Sequence, residues 1–222
     1  MGRRYRFKVR AQNVHGWGPY SEEGEVLVAT EPSKMSPVIV TENADQTVKL
    51  SWSLPIENGG PVSVYTVKIR AKDGVTYYES SFCNGADVSI VASRQCNIPM
   101  IAFRQLPFLL EQDDLIVAIA QAGNEIGRSP YSEPSTSTVI VSQSPRKPSS
   151  SPLMVLQDIM QIVVSMPAVT GFLTGSSTLL SYNLQYRGET SPPTEWTTLV
   201  GEAPDSMLLE YAKNGLITDR MY

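Results

Sequence analysis

The sequence predicts an all-β chain: a tandem run of small β-sandwiches, one complete and flanked by two partial ones. Three observations predict it. Apolar and polar residues alternate with period two in several short stretches, the pattern of half-buried strands. Turn formers part these stretches at short intervals, as in a sandwich. One stretch of the chain returns later at a fixed offset, which marks an array of domains rather than one large domain.

The elements follow in order. Tyr5, Phe7, Val9 and Ala11 alternate with Arg4, Arg6, Lys8 and Arg10. One face of such a strand meets a core and the other meets water, so Tyr5, Phe7 and Val9 are read as core. Val48, Leu50 and Trp52 repeat the alternation, as do Tyr65, Val67 and Ile69; the expected core of the middle domain centres on Trp52, with Leu50, Tyr65, Val67 and Ile69 around it. Asn58-Gly59-Gly60-Pro61, Asp73-Gly74 and Asn84-Gly85 are turn signals. No long amphipathic helix is evident. Met154–Met160 fits a helical turn or a strand, and its β-rich surroundings favour the strand.

Tyr5–Glu22 returns at Ile116–Glu133. Asn13, Gly16, Pro19, Tyr20, Ser21 and Glu22 meet Asn124, Gly127, Pro130, Tyr131, Ser132 and Glu133 at one offset of 111. Two linkers fit that period, Glu31–Pro37 and Ser144–Pro152. Proline favours extended, semi-rigid spacing and serine relaxes it. The expected domains are therefore 1–33 (the last two strands of one sandwich), 34–146 (a complete one) and 147–222 (the first part of a third). Tyr222 is matched to Tyr5, so both ends cut the repeat at about the same phase. A truncated gene product is the simple expectation; strand exchange between residues 1–30 and a third domain is the other.

Composition narrows the function. The chain has 222 residues, 41% hydrophobic and 18% charged, with a formal net charge of −4. No excess of Lys and Arg is available to neutralise phosphates, so nucleic acid and anionic membranes are excluded as partners. One His and two Cys exclude most His-based triads and Cys₄ zinc sites. The longest apolar run, 115–120, is strand-sized and short of the ~18 residues a membrane span needs. His15 lies in a loop with no nucleophile or orienting acid in a recognisable motif, and Glu111, Asp113 and Asp114 read as a solvated turn. No catalytic residue, cofactor or metal is expected, and the chain is read as not an enzyme.

These residues resemble the fibronectin type III family. Tyr5-x-Phe7-x-Val9-x-Ala11-x-Asn13-x-x-Gly16 matches its penultimate strand. Trp52 in Val48-Lys49-Leu50-Ser51-Trp52 matches its second-strand core Trp, and Pro55, Asn58–Gly60, Val62, Tyr65 and Val67 match the turn that follows. Leu216 and Tyr222 match its tyrosine corner and are assigned to the core. The middle domain departs there, since Leu110 is followed by Ile116, and the third has Val164 where the Trp is expected. Cys83-Asn-Gly-Ala-Asp87, Cys96-Asn-Ile-Pro99 and Leu106-Pro-Phe look like a Cys-bearing variant found in long arrays of protist, especially ciliate, surface proteins. The resemblance implies an immunoglobulin-like sandwich in a cell-surface or secreted array. It implies partners that are proteins or neighbouring domains.

Cys83 and Cys96 bracket a polar, turn-rich insertion. A disulfide there would stabilise the domain by ~3 kcal/mol in the chain-entropy model. Two reduced, buried thiols in a cytoplasmic protein are the alternative. The stripe Arg4, Arg6, Lys8 and Arg10 could meet an acidic polysaccharide. Pairing with Glu22, Glu23 and Glu25 across the hairpin, which makes it a solvated face, is the favoured reading. The expected job is spacing, adhesion or protein binding. An intracellular cytoskeletal scaffold, and an accessory module of a polysaccharide-active enzyme, are the alternatives.

Overall fold

Backbone pairing starts at the first strand. In a computed structural model, which describes residues 2–136, 138–158, 161–188, 192 and 194–214, β1 (Arg3–Phe7) is followed by the short pair β2 (Gln12–Asn13) and β3 (Gly16–Trp17) and by β4 (Gly24–Val28). β1 pairs antiparallel with β4, Tyr5 opposite Val26 and Arg6 opposite Glu25. The chain divides into two units, Met1–Val141 and Ser142–Tyr222.

The hairpin corrects one expectation. Tyr5, Phe7 and Val9 are 47%, 61% and 70% exposed, not core. The alternation does put Tyr5 and Phe7 on one face with Val26, but β1 and β4 form a two-stranded sheet. Among the described residues no second sheet packs over that face.

The sandwich proper has two three-stranded sheets. β5 (Ile39–Glu42), β6 (Thr47–Ser51) and β9 (Gln95–Pro99) make one, in the order β5-β6-β9. β7 (Val64–Arg70), β8 (Tyr77–Glu79) and β10 (Ala118–Gly123) make the other, in the order β10-β7-β8. Period two decides their inner faces. Val40, Val48, Leu50, Cys96 and Ile98 are buried on the first, and Tyr65, Val67 and Ile69 on the second. Each of these last three lies beside an alanine of β10: Ala122, Ala120 and Ala118 respectively. Large beside small leaves volume between the sheets for Trp52, Phe103 and Phe108, all buried. Trp52 meets Tyr65 edge-on at 5.3 Å between ring centres, a favoured aromatic geometry. Its Nε1 is buried without a hydrogen-bond partner among the described residues. Ile116, fully buried, occupies the place where the family pattern has a Tyr.

The insertion between β8 and β9 holds a 3₁₀ turn (Ser81–Cys83) and the six-residue helix α1 (Val88–Ser93). Arg94 ends α1 in the left-handed region, φ 54°. A second short helix, α2 (Met100–Phe103), follows β9 and buries Phe103.

In the second unit β11 (Leu153–Asp158), β12 (Gln161–Ser165) and β15 (Glu210–Asn214) form one sheet, β11-β12-β15. β13 (Leu184–Tyr186) and β14 (Thr197–Val200) form another. Leu153–Asp158 is a strand, as its surroundings suggest, with a register shift between Met154 and Leu156. Among the described residues, Met166, Val169 and Leu184 are its buried apolar side chains, and Val164 is half-buried. Leu216 and Tyr222 lie outside the described residues.

Candidate functional site

The basic stripe divides into two halves with different partners. Direct register between β1 and β4 puts Glu25 within reach of both nearby arginines. Arg4 Nη1 donates to Glu25 Oε1 at 2.8 Å and Arg6 Nε to Glu25 Oε2 at 3.3 Å. Arg6 also lies 3.8 Å from Glu23, and Arg4 3.5 Å from Glu125. The hydrogen bonds from Arg4 and Arg6 hold the Glu25 carboxyl below the ordinary range. These pairs are exposed, and such pairs contribute little to stability; they leave Arg4 and Arg6 charge-matched. Lys8 and Arg10 sit instead over aromatic rings. Lys8 Nζ is 4.7 Å from the Tyr20 ring, and the Arg10 guanidinium lies 4.4 Å from Trp17 and 4.7 Å from Tyr20. All three distances are within cation–π range. The result is a polar, solvated hairpin face with one aromatic-backed cationic end.

The repeated motif itself has a structural task that the sequence reading missed. Ser129, Ser132 and Ser135 are buried. Each hydroxyl accepts from the N–H of an alanine of β10: Ser129 from Ala122, Ser132 from Ala120 and Ser135 from Ala118, at 3.0–3.1 Å. Each serine N–H donates to the carbonyl of the same alanine, at 2.7–2.9 Å. Side-chain oxygens thus replace the main-chain acceptors of an ordinary ladder. Serines three apart meet alanines two apart, so each three-residue step of the segment covers the same length as two residues of β10. The first copy repeats this: Ser21 N–H donates to Val9 O at 2.8 Å and Ser21 Oγ accepts from Val9 N–H at 3.1 Å. The readable signal was Ser-x-x-Ser-x-x-Ser with prolines between.

The turns before these segments match as well. Asn124 Oδ1 accepts from the N–H groups of Ile126 and Gly127, and Asn13 Oδ1 from that of His15. His15 is exposed in that turn.

Cys83 and Cys96 are joined, with Cα atoms 5.3 Å apart, and both are buried. Cys96 belongs to β9, in the first sheet. Cys83 ends the 3₁₀ turn, and the adjacent Gly85 accepts from Tyr65 N–H of β7, in the second sheet, at 2.9 Å. The bridge therefore ties one sheet to a loop hydrogen-bonded to the other. A Cβ on Gly85 would meet Tyr65 O at 2.0 Å, so the close approach requires glycine here.

Glu111 and Asp114 converge on Lys72, whose Nζ lies 2.8 Å from Asp114 Oδ2 and 3.3 Å from Glu111 Oε2. Burial opposes the charged Asp114 carboxylate. Hydrogen bonds from Lys72 and from Glu111 N–H outweigh it and hold the carboxyl below the ordinary range. Among the described residues no three of His, Cys, Asp and Glu gather as a metal site, and no helix is long and apolar enough to cross a membrane. An open groove in the second unit is lined by a single stretch of chain, residues 198–206 with Leu208.

No family model matches the chain. Among curated proteins, fibronectin type-III domain-containing protein 3a of Gallus gallus is 35% identical over 83 residues, which is 37% of this chain and 7% of that protein. The Homo sapiens protein 3A is 31% identical over 74 residues, 33% of this chain and 6% of its own length. The chain thus spans under a tenth of the curated relatives it matches. Among solved structures, the chicken CNTN1 FN1–FN3 domains are 14% identical with a TM-score of 0.40, covering 98% of this chain and 66% of that one. The sixth fibronectin type III domain of human fibronectin type III domain containing protein 3 is 18% identical with a TM-score of 0.38, covering 54% and 95%. With its paired β-sheets and these sequence matches, the chain is an all-β, immunoglobulin-like protein similar to fibronectin type III domains.

Proposed function

We propose that the chain is a non-catalytic segment of a tandem array that spaces domains and binds proteins through their surfaces, in a cell-surface or secreted protein. One observation carries the array: the two copies of the 111-residue repeat share the same unusual serine-to-strand hydrogen bonds, Ser21 on Val9 and Ser132 on Ala120. The buried Cys83–Cys96 bridge supports an oxidising compartment, where such bonds persist. On this reading residues 34–146 are the complete module, and 1–33 and 147–222 belong to its neighbours. The Cys-bearing ciliate arrays are the resemblance that fits the insertion best.

The charge pairing of Arg4 and Arg6 favours protein or domain partners over an acidic polysaccharide, since half of the stripe already has carboxylates. Mass analysis of the chain from its own cells, alkylated at lysis with and without prior reduction, tests the compartment. An unreduced sample with both cysteines blocked to alkylation supports the surface reading. Quantitative alkylation without reduction would replace it with the intracellular scaffold.

A further inference from the structure

The linker before the complete sandwich is not a free tether. Thr30 N–H donates to Asn58 O at 3.2 Å and Ser33 N–H to Ile56 O at 2.9 Å. Asn58 is in the left-handed region, φ 53°, which turns its carbonyl toward the linker. Between the two donors sits Pro32, fully buried, which has no N–H to satisfy. Asn124 closes the arrangement from the other loop: its Nδ2 donates to Thr30 O at 2.8 Å and to Gly60 O at 3.2 Å. Gly60 makes room for that amide, because a Cβ there would lie 2.9 Å from Asn124 Nδ2.

The second unit contains the same pattern independently. Gln143 N–H donates to Gly175 O at 2.8 Å and Arg146 N–H to Leu173 O at 2.9 Å. The donors are again three apart, the acceptors again two apart, and the acceptor nearer the C-terminus, Gly175, again has positive φ, 74°. Pro145 stands between the donors as Pro32 does. Thr30-Glu31-Pro32-Ser33 and Gln143-Ser144-Pro145-Arg146 therefore share one signature: a donor, any residue, proline, a donor.

We propose that the loop at 56–60, latched by Asn124, is a docking site for the linker that precedes its own sandwich, and that it recognises this donor-x-Pro-donor segment. The second unit carries the same two-bond core of the site at 173–175. The site makes each linker part of the domain after it, and it stiffens an array that its Pro-Ser composition alone would leave semi-rigid. The proposal rests on the array reading. Its test is independent of redox compartment, so the two can fail separately.

Amide hydrogen exchange of the full chain is the test. Thr30, Ser33, Gln143 and Arg146 should exchange at least about tenfold slower than an unstructured linker. Asn124→Asp keeps the turn-forming Oδ1 but puts a carboxylate oxygen against the carbonyls of Thr30, Glu57 and Gly60; it should return Thr30 to near the free rate while the amides of β7 stay protected. Gly175→Ala places a Cβ 2.1 Å from Gln143 O and should release Gln143 and Arg146 alone. Free-rate exchange at Thr30 and Ser33 in the unmodified chain would overturn the proposal. Unchanged protection of Thr30 in Asn124→Asp, with β7 intact, would overturn the latch.

Discussion

Replacing both cysteines, Cys83→Ala with Cys96→Ala, isolates what the bridge does. The two residues are separated by 13 positions, so the closed loop is short. The chain-entropy relation gives ~3 kcal/mol for such a loop at 25 °C. Native packing changes little in comparison: β9 keeps its register with β6, Leu50 opposite Cys96 and Val48 opposite Ile98. Alanine also avoids leaving buried thiols or hydroxyls. A domain of about 100 residues shifts its midpoint by about 4–8 °C per kcal/mol, so the melting temperature should fall by about 12–24 °C. Trp52 emission reports it well, since Trp52 is buried whereas Trp17 and Trp196 are exposed and contribute a constant background. Reducing agent should produce the same fall in the unmodified protein, and none in the variant. A fall under about 4 °C would mean that the unfolded loop is already ordered, and the entropic reasoning would be refuted.

Other outcomes follow from the same geometry. Ser132→Ala removes the acceptor of the buried Ala120 N–H and should cost about 1–3 kcal/mol in urea unfolding, while Ser21→Ala, at an exposed site where water substitutes, should cost well under that; equal costs would sink the burial argument. Gly85→Ala drives a Cβ into Tyr65 O and should destabilise by about 1–3 kcal/mol or prevent folding, read by the same denaturation. Lys72 and Asp114 give a pH signature. The Asp114 carboxyl is depressed, so its contribution is present above the ordinary aspartate pKa and is lost as pH falls through the depressed value. The Lys72 ammonium is raised by its hydrogen bond to Asp114, so its contribution is present below the ordinary lysine pKa and is lost as pH rises through the raised value. Lys72→Met should flatten both limbs of the stability–pH curve, and curves that stay parallel would reject the pairing.

Much of this architecture was legible in the residues because side-chain period two is a direct image of a two-faced strand. Val48, Leu50, Tyr65, Val67 and Ile69 show it: each is apolar where its strand faces inward. The same code misled at Tyr5, Phe7 and Val9. Alternation says which residues share a face, and it is silent on whether anything covers that face. Helix α1 was hidden for a different reason. Val88-Ser-Ile-Val-Ala-Ser93 is rich in β-branched residues, and six residues are too few to display a helical period. The serine contacts were masked because a run of Ser and Pro reads first as turn chemistry. The linker site was unreadable in principle from side chains alone, since its donors, two in each unit, are the main-chain N–H groups of Thr30 and Ser33 and of Gln143 and Arg146. Only the proline between them leaves a trace in the sequence.

The three-residue pitch of Ser129–Ser135 has one more consequence. A chain of similar sandwiches is a solution of strands at very high local concentration, each within reach of near-copies of itself. An ordinary last strand would offer the next repeat a row of evenly spaced donors and acceptors, and pairing with the wrong neighbour would follow. Along 129–135 every third residue turns inward to β10, and Pro130 and Pro134 have no N–H to offer. The segment seals its sheet on one side and presents no matching ladder on the other. In this copy the last segment thus offers a neighbouring repeat no evenly spaced row to pair with, whereas the first copy, with β4 on β1 in a regular ladder, keeps one.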